Sequence, residues 1–254
     1  MMIIPALRVP YRGTVDVRRV AAAVFAGTNG ARRRHGCRPV AWHLELTNVA
    51  TRHSEAMVRR NFFDHVDPDG RGPGDRFAAT HPEVVAAVGE NLARVPIGPD
   101  QRLAEDLVER WMESPGHRAN LLRPAFTHLG VGIVAAFPYV FATQLFGDVL
   151  AHLVSPPPCE LSAEPSRVID LRFRLYGAMA QPDCMIWVKS PVRGAKFQMD
   201  DVRVTIGAYP LGTRVAGASC VARFEARSGL GDYPVLLGSH GSSRLISTAL
   251  RVRA

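Results

Sequence analysis

Lysine is almost missing from this chain. Of 31 basic residues only Lys189 and Lys196 are lysines, so the net charge of +8 is carried by arginine. Such a bias follows a GC-rich genome as readily as a function and carries little weight. Residues 1–154 hold 18 basic against 15 acidic side chains, and residues 155–254 hold 13 against 8. Neither half shows the basic stripe with interleaved aromatics of a nucleic-acid binder. A general attraction to anionic surfaces is compatible with this balance. No apolar run approaches the ~20 residues a membrane helix needs. The opening "MMIIPALRVPYRG" lacks a basic n-region, an adequate apolar core and an A-x-A site, so no secretory signal is expected there. The four cysteines, Cys37, Cys159, Cys184 and Cys220, include no C-x-x-C pair, which excludes zinc-ribbon and thioredoxin-like readings. One disulfide within the last hundred residues and buried free thiols both remain open.

What the chain does have is apolar content: 47% of its residues are hydrophobic and 21% are charged. That is enough to fold as one large or two ordinary globular domains. Its periodicity changes at "VSPPPCE", residues 154–160, because three consecutive prolines continue neither a helix nor a central strand. The expected organisation is a domain over 1–153, a proline-rich linker at 154–160 and a second domain over 161–254. In the first, residues 16–28 and 44–60 read as helices; Leu46, Val49, Ala50, His53, Ala56 and Met57 share a face of the second. Residues 100–113 form another helix, with Leu103, Leu107 and Trp111 one turn apart and Asp100 as N-cap. "HLGVGIVAAF" and "YVFATQLFG" are β-rich runs split by Pro138, an antiparallel pair by proximity. Helices with such a sheet make an α+β domain. After the linker the period is two: in "RVIDLRFRLYG", Ile169, Leu171, Phe173 and Leu175 alternate with Asp170, Arg172 and Arg174. Six or seven short strands predict a small all-β sandwich.

Three stretches carry candidate chemistry. "NFFDHVDPDG", residues 61–70, invites a calcium-loop alignment, but that puts His65 and Arg76 where hard oxygen donors belong, so it fails. What remains is His65 at a helix exit. In "VGENLAR", residues 88–94, Glu90 is either a solvated turn carboxylate or one held by hydrogen bonds. In "WMESPGHRANLL", residues 111–122, the helix breaks at Ser114-Pro115-Gly116 and restarts, with Ser114 as a cap and Pro115 in the first turn. His117 then lies near a helix N-terminus, whose positive end favours a neutral ring. The 52-residue gap between the two histidines matches no local metal spacing.

These motifs in this order, with "PVAWHLELTNVATRHSEAM" before them and "HLGVGIVAAFPYVFATQLFG" after, resemble the CAP superfamily of cysteine-rich secretory proteins, antigen 5 and pathogenesis-related proteins. The likeness is to its bacterial, SCP-like branch and covers about residues 16–148. It implies an α-β-α sandwich with a cleft in which His65, Glu90 and His117 occupy the family's site positions, as catalytic groups or as ligands of a divalent metal, zinc first. It also implies a secreted or envelope-associated protein whose partners are a cell-envelope polymer, a lipid or a protein. Many eukaryotic members carry a further glutamate three residues beyond the tryptophan, where this chain has Ser114. Glu113 is one place out of register, about 100° around a helix, and that role is not carried over. Trp111 reads as core, Asn91 and Asn120 as turn or capping residues or as supports of the histidines, and Arg118 as a salt-bridge partner or a group for an anionic ligand, with the structural role favoured.

Three functions follow: a binding module with a His/Glu cleft, a metal-dependent or acid/base hydrolase using the same cleft, and a histidine pair that only braces a core. No serine or cysteine joins a motif as a nucleophile would.

Overall fold

The computed structural model describes residues 13–155, 160–162, 168–198, 204–239 and 242–253. The opening twelve residues, the prolines at 156–158 and Cys159 lie outside that set. By internal contacts the chain forms two units, residues 1–70 with 89–146 and residues 71–88 with 147–254.

In the first unit α1 (Val17–Arg34) starts where the Asp16 carboxylate accepts from the N–H groups of Arg18 and Arg19, 3.1 Å each. The helix was expected to stop at residue 28 but runs on to Arg34. A glycine inside a helix costs roughly 1 kcal/mol, and Gly30 is offset by Arg32. That side chain is wholly buried and donates to the carbonyls of Arg38, Leu121, Arg123 and Phe126 at 2.8–3.2 Å. β1 (Ala41–Trp42) is followed by α2 (Leu44–Arg59), whose expected face is buried at Leu46, Val49, Ala50, His53 and Met57.

α3 (Pro73–Thr80) belongs to the second unit, and β2 (Val84–Pro96) crosses from the second unit to the first. Neither was expected: an eight-residue helix opening on Pro-Gly reads as a turn, and Gly89 breaks the apolar run of β2. α4 (Asp100–Glu113) buries Leu103, Leu107 and Trp111 as expected. Its N-cap is Pro99, not Asp100. Asp100 is the first helical residue and accepts from the Asp16 N–H at 3.2 Å. α5 (Pro115–Leu121) restarts with Ser114 at the cap and Pro115 at the first position, but the Ser114 hydroxyl makes no capping bond.

β3 (His128–Ala136) lies beside β4 (Tyr139–Ser155), and β1 pairs with β3 in parallel, Ala41 opposite His128. Alternation along β3 sorts the layers. Leu129, Val131 and Ile133 enter a buried cluster with Val20 and Val24 of α1 and Leu107 and Trp111 of α4. Each large apolar side chain buried there contributes about 1.5–3 kcal/mol. Gly130 and Gly132, on the opposite face, lie against α2: a Cβ would meet Thr47 N at 2.1 Å and the Ala50 carbonyl carbon at 2.3 Å. Helices thus cover both faces of the strand, which is the three-layer arrangement implied for this segment.

The second unit continues from Gly147 of β4 through β5 (Glu160–Ser162), β6 (Val168–Leu175), β7 (Met185–Lys189), β8 (Lys196–Gln198), β9 (Val204–Ile206), β10 (Ala208–Pro210), β11 (Gly212–Ala216), β12 (Ser219–Glu225), β13 (Gly231–Ser239) and β14 (Ser242–Arg253). That is more strands than expected because several are three residues long. The run "VTIGAY" splits at Gly207, whose φ is 74°. No strand continues through that left-handed conformation. β4, β6, β12 and β11 are neighbours in that order, and so are β10, β7, β13, β14 and β5. Leu171, Phe173, Cys220 and Phe224 from the first set share one buried cluster with Ile186, Val188, Tyr233 and Val235 from the second. Val85 and Met179 join it. Cys184 and Cys220 are buried free thiols, and burial pushes the Cys220 thiol up to about 11. The contact division falls inside β4, and Arg71–Val88 groups with the tail.

Candidate functional site

The loop that leaves α2 is organised by its own polar groups. Asn61 takes a left-handed φ of 51°. Asparagine tolerates that conformation better than most residues. The Asp64 carboxylate accepts from Val66 N–H at 2.9 Å, and that of Asp67 from Asp69 N–H at 3.0 Å. Asp69 forms a two-pronged pair with Arg60 at 2.8 and 2.9 Å. The carboxylates that suggested a calcium loop therefore build the turn that presents His65.

Glu90 stands on β2 with its side chain 2% exposed. A lone buried carboxylate is costly, and two imidazoles meet it. His65 donates from Nδ1 to Glu90 Oε1 at 2.8 Å, and Nε2 of the wholly buried His53 lies 3.9 Å from the same oxygen. Since a carbonyl only accepts, His53 Nε2 must donate to Asp64 O, at 3.0 Å. Of the two readings of Glu90, the held carboxylate is the one realised. With Nδ1 of His65 carrying the proton towards the carboxylate, the lone pair of the neutral ring sits at Nε2.

His117, half-buried in the first turn of α5, is tied to the same strand through backbone. Asn91 donates to His117 O at 3.0 Å and to Gln144 Oε1 at 3.1 Å. Asn120 donates to Glu90 O and to Asn91 Oδ1, both at 3.1 Å. Gln144 passes the chain on to Thr28 Oγ1 at 2.7 Å. Asn91 and Asn120 therefore support the backbone that carries Glu90 and His117. Gly89 leaves them room, since a Cβ there would meet the Phe126 ring at 2.6 Å and Asn120 Oδ1 at 3.1 Å. The His117 pKa is lowered, first by burial and then by the charge of His65. Burial and this coupling both favour the neutral ring, and His117 stands in the first turn of α5, at the helix N-terminus expected from sequence.

A cavity of about 480 Å³ opens beside His117, lined also by Phe63, Arg94, Arg110, Glu113 and Ser114. The Arg94 guanidinium lies over the rings of Phe63, Tyr139 and Phe141, at 5.5 Å, 5.0 Å and 6.0 Å from their respective centres. At those distances the cation is held by the negative faces of the rings. These residues were not singled out in the sequence: one strand arginine and three scattered aromatics carry no periodic signal. Glu113, out of register with the acidic position of other members, still borders the cavity. Trp111 is core, as expected, and donates from Nε1 to Leu92 O at 3.0 Å. Arg118 makes no side-chain hydrogen bond or ion pair among the described residues. No three His, Cys, Asp or Glu side chains among the described residues converge as a ligand set for a metal ion. Glu90 is engaged by His65 through Oε1.

A buried carboxylate flanked by imidazoles, on a sheet covered by helices, is the class of site this segment defines. Residues 25–146 match the sequence model of the cysteine-rich secretory protein family, CAP, and this segment is a CAP domain. Two proteins of Bacillus subtilis (strain 168) are similar over 107 residues, 42% of this chain: YkwD at 37% identity and the membrane protein YlbC at 38%. The match spans 39% and 29% of their respective lengths. An extracellular protein of Bacillus anthracis containing an SCP domain has a solved structure that is 32% identical; the likeness covers 54% of this chain and 46% of that one, with a TM-score of 0.45. The only cysteine inside residues 25–146 is Cys37, a free thiol. No helix among the described residues is long and apolar enough to cross a membrane.

Proposed function

We propose that the CAP segment is an extracellular or envelope-associated binding module, and that its cleft holds a divalent metal, zinc first, on His65 and His117. The observation that carries this is the 2.8 Å bond from His65 Nδ1 to the buried Glu90 carboxylate. A carboxylate on one ring nitrogen fixes the tautomer and raises the donor strength of the other, which is how metal-binding histidines are generally supported. Glu90 then acts behind His65 and not as a ligand itself. Two imidazoles leave coordination positions for water or for a ligand oxygen. The partners this suits are a cell-envelope polymer, a lipid or a protein, and the tail over residues 161–254 is proposed as a β-sandwich recognition domain.

The test is a zinc titration of the full chain beside its His65→Ala and Glu90→Gln variants. One zinc per chain, lost in His65→Ala and weakened about 10- to 100-fold in Glu90→Gln, is the expected result. No binding at micromolar zinc removes the metal.

The same His65–Glu90 bond favours a second reading. A carboxylate that orients an imidazole makes it a general base, so a hydrolase would use His65 to activate water, with or without the metal. A His65→Ala/His117→Ala variant separates the two. Binding to envelope polymer that falls with the two rings, with no turnover in the parent, supports the module; turnover that vanishes with them supports the hydrolase.

A further inference from the structure

Arginines that stand apart in the sequence of the second unit meet on one side of a sheet. Leu171, Phe173 and Leu175 of β6 and Cys220, Ala222 and Phe224 of β12 point into the buried cluster. Side chains alternate along a strand. Asp170, Arg172 and Arg174 of β6, Ser219 and Arg223 of β12 and Arg214 of β11 therefore take the other face, and all are exposed. Strand register fixes the neighbours. Arg172 of β6 and Arg214 of β11 flank Val221, and Arg174 stands between Ser219 and His152. Arg223 faces Asp170, with 3.7 Å between the charged groups. The side chains of Arg172, Arg174 and Arg214 have no ion pair or hydrogen bond among the described residues.

Outward positions two residues apart on a strand are separated by about 7 Å, and strands two apart by about 10 Å. Arg172 therefore stands about 7 Å from Arg174 and about 10 Å from Arg214, near the Debye length of about 8 Å at physiological salt. Their fields add, and the fold gains nothing from the repulsion. The outward positions of these strands carry no aromatic side chain, so bases would find no stacking platform. A pleated sheet face of this kind suits a chain that can lie across it and meet several cations in succession.

We propose that this face binds a linear polyanion, an acidic polymer carrying carboxylates or phosphates along a flexible chain. This goes beyond the reading of the CAP cleft and is independent of it. Each contact releases a counterion, so binding weakens as salt rises, with a slope that counts the arginines engaged.

The test measures binding of the full chain to polygalacturonate, to polyphosphate, to neutral dextran and to vesicles of phosphatidylcholine with phosphatidylglycerol, across a salt series. Binding to at least one of the two polyanions but not to dextran is expected, and the tighter of the two names the charged group. An Arg172→Gln/Arg174→Gln/Arg214→Gln variant should bind at least tenfold more weakly, with the salt slope reduced by about two to three. An Arg18→Gln/Arg19→Gln/Arg33→Gln variant, with the same change in charge on exposed α1 positions, should stay within twofold of the parent. If the first triple does not fold, Arg214→Gln alone on β11 should still lower the slope by about one. Equal losses in the two triples would show net charge alone at work and overturn the proposal. So would vesicle binding tighter than either polymer, which would make the face a membrane surface.

Discussion

His128, the first residue of β3, shows how one ring ties stability to acidity. Its ring lies 5.1 Å from that of His43, and burial, followed by the charge of His43, lowers its pKa below the ordinary 6.5. A histidine whose folded pKa is depressed binds fewer protons folded than unfolded just below that ordinary value. Its contribution to stability is therefore complete above about pH 6.5 and is lost as pH falls through the folded pKa. Thermal melts of the parent between pH 7.5 and 5.5 should fall more steeply than those of His128→Asn, and equal slopes would count against this account of the half-buried pair. The histidines of the cleft were legible as candidates because their motifs are local: a helix exit, a broken helix and a lone acid between Gly89 and Asn91. His53 was legible only as a member of an apolar helix face. Its approach to Glu90 depends on the fold of residues 61–70, which no spacing in α2 announces.

At the scale of elements, α2 and β3 approach through glycine. Gly130 and Gly132 alternate with Leu129, Val131 and Ile133, so one face of β3 is bulky and the other nearly bare backbone. A Gly132→Ala methyl would meet the Ala50 carbonyl oxygen at 2.5 Å and Thr51 N at 2.3 Å, both backbone atoms that cannot rotate away. Helix and strand must separate, so Gly132→Ala should destabilise by about 1–3 kcal/mol or more, read as a lower denaturation midpoint. No change would mean that α2 is not seated as described. The sequence showed "HLGVGIVAAF" as a strand because it is rich in β-branched residues and Leu129, Val131 and Ile133 alternate with glycines. It did not show which neighbour the glycines admit, since a missing side chain names no partner. The same limit explains α1: its expected end at residue 28 took no account of Arg32, whose anchoring on carbonyls is set largely by segments about ninety residues away.

For the whole molecule, composition divided the chain at the proline run because the hydrophobic period changes there, whereas contacts divide it inside β4. The two divisions disagree over residues 71–88 and 147–153, and they predict different fragments. Val85 is fully buried in the cluster built by the tail strands, and Leu153 N–H donates to Glu83 O at 2.7 Å. β4 also pairs with β6, Ala151 opposite Leu175 and Leu153 opposite Phe173. A fragment of residues 1–153 keeps the CAP motifs but strips the partners from Val85, Leu150 and Leu153, and leaves the end of β4 as an open edge. Exposed edges and apolar clusters of that kind promote association. The fragment is therefore expected to aggregate, or to show a sharply lower melting temperature than the full chain, by gel filtration and thermal denaturation. A monomeric fragment melting where the full chain does would instead place the working boundary at residues 154–160. It would then make the CAP domain separable from the arginine face, and polyanion binding should stay with the tail.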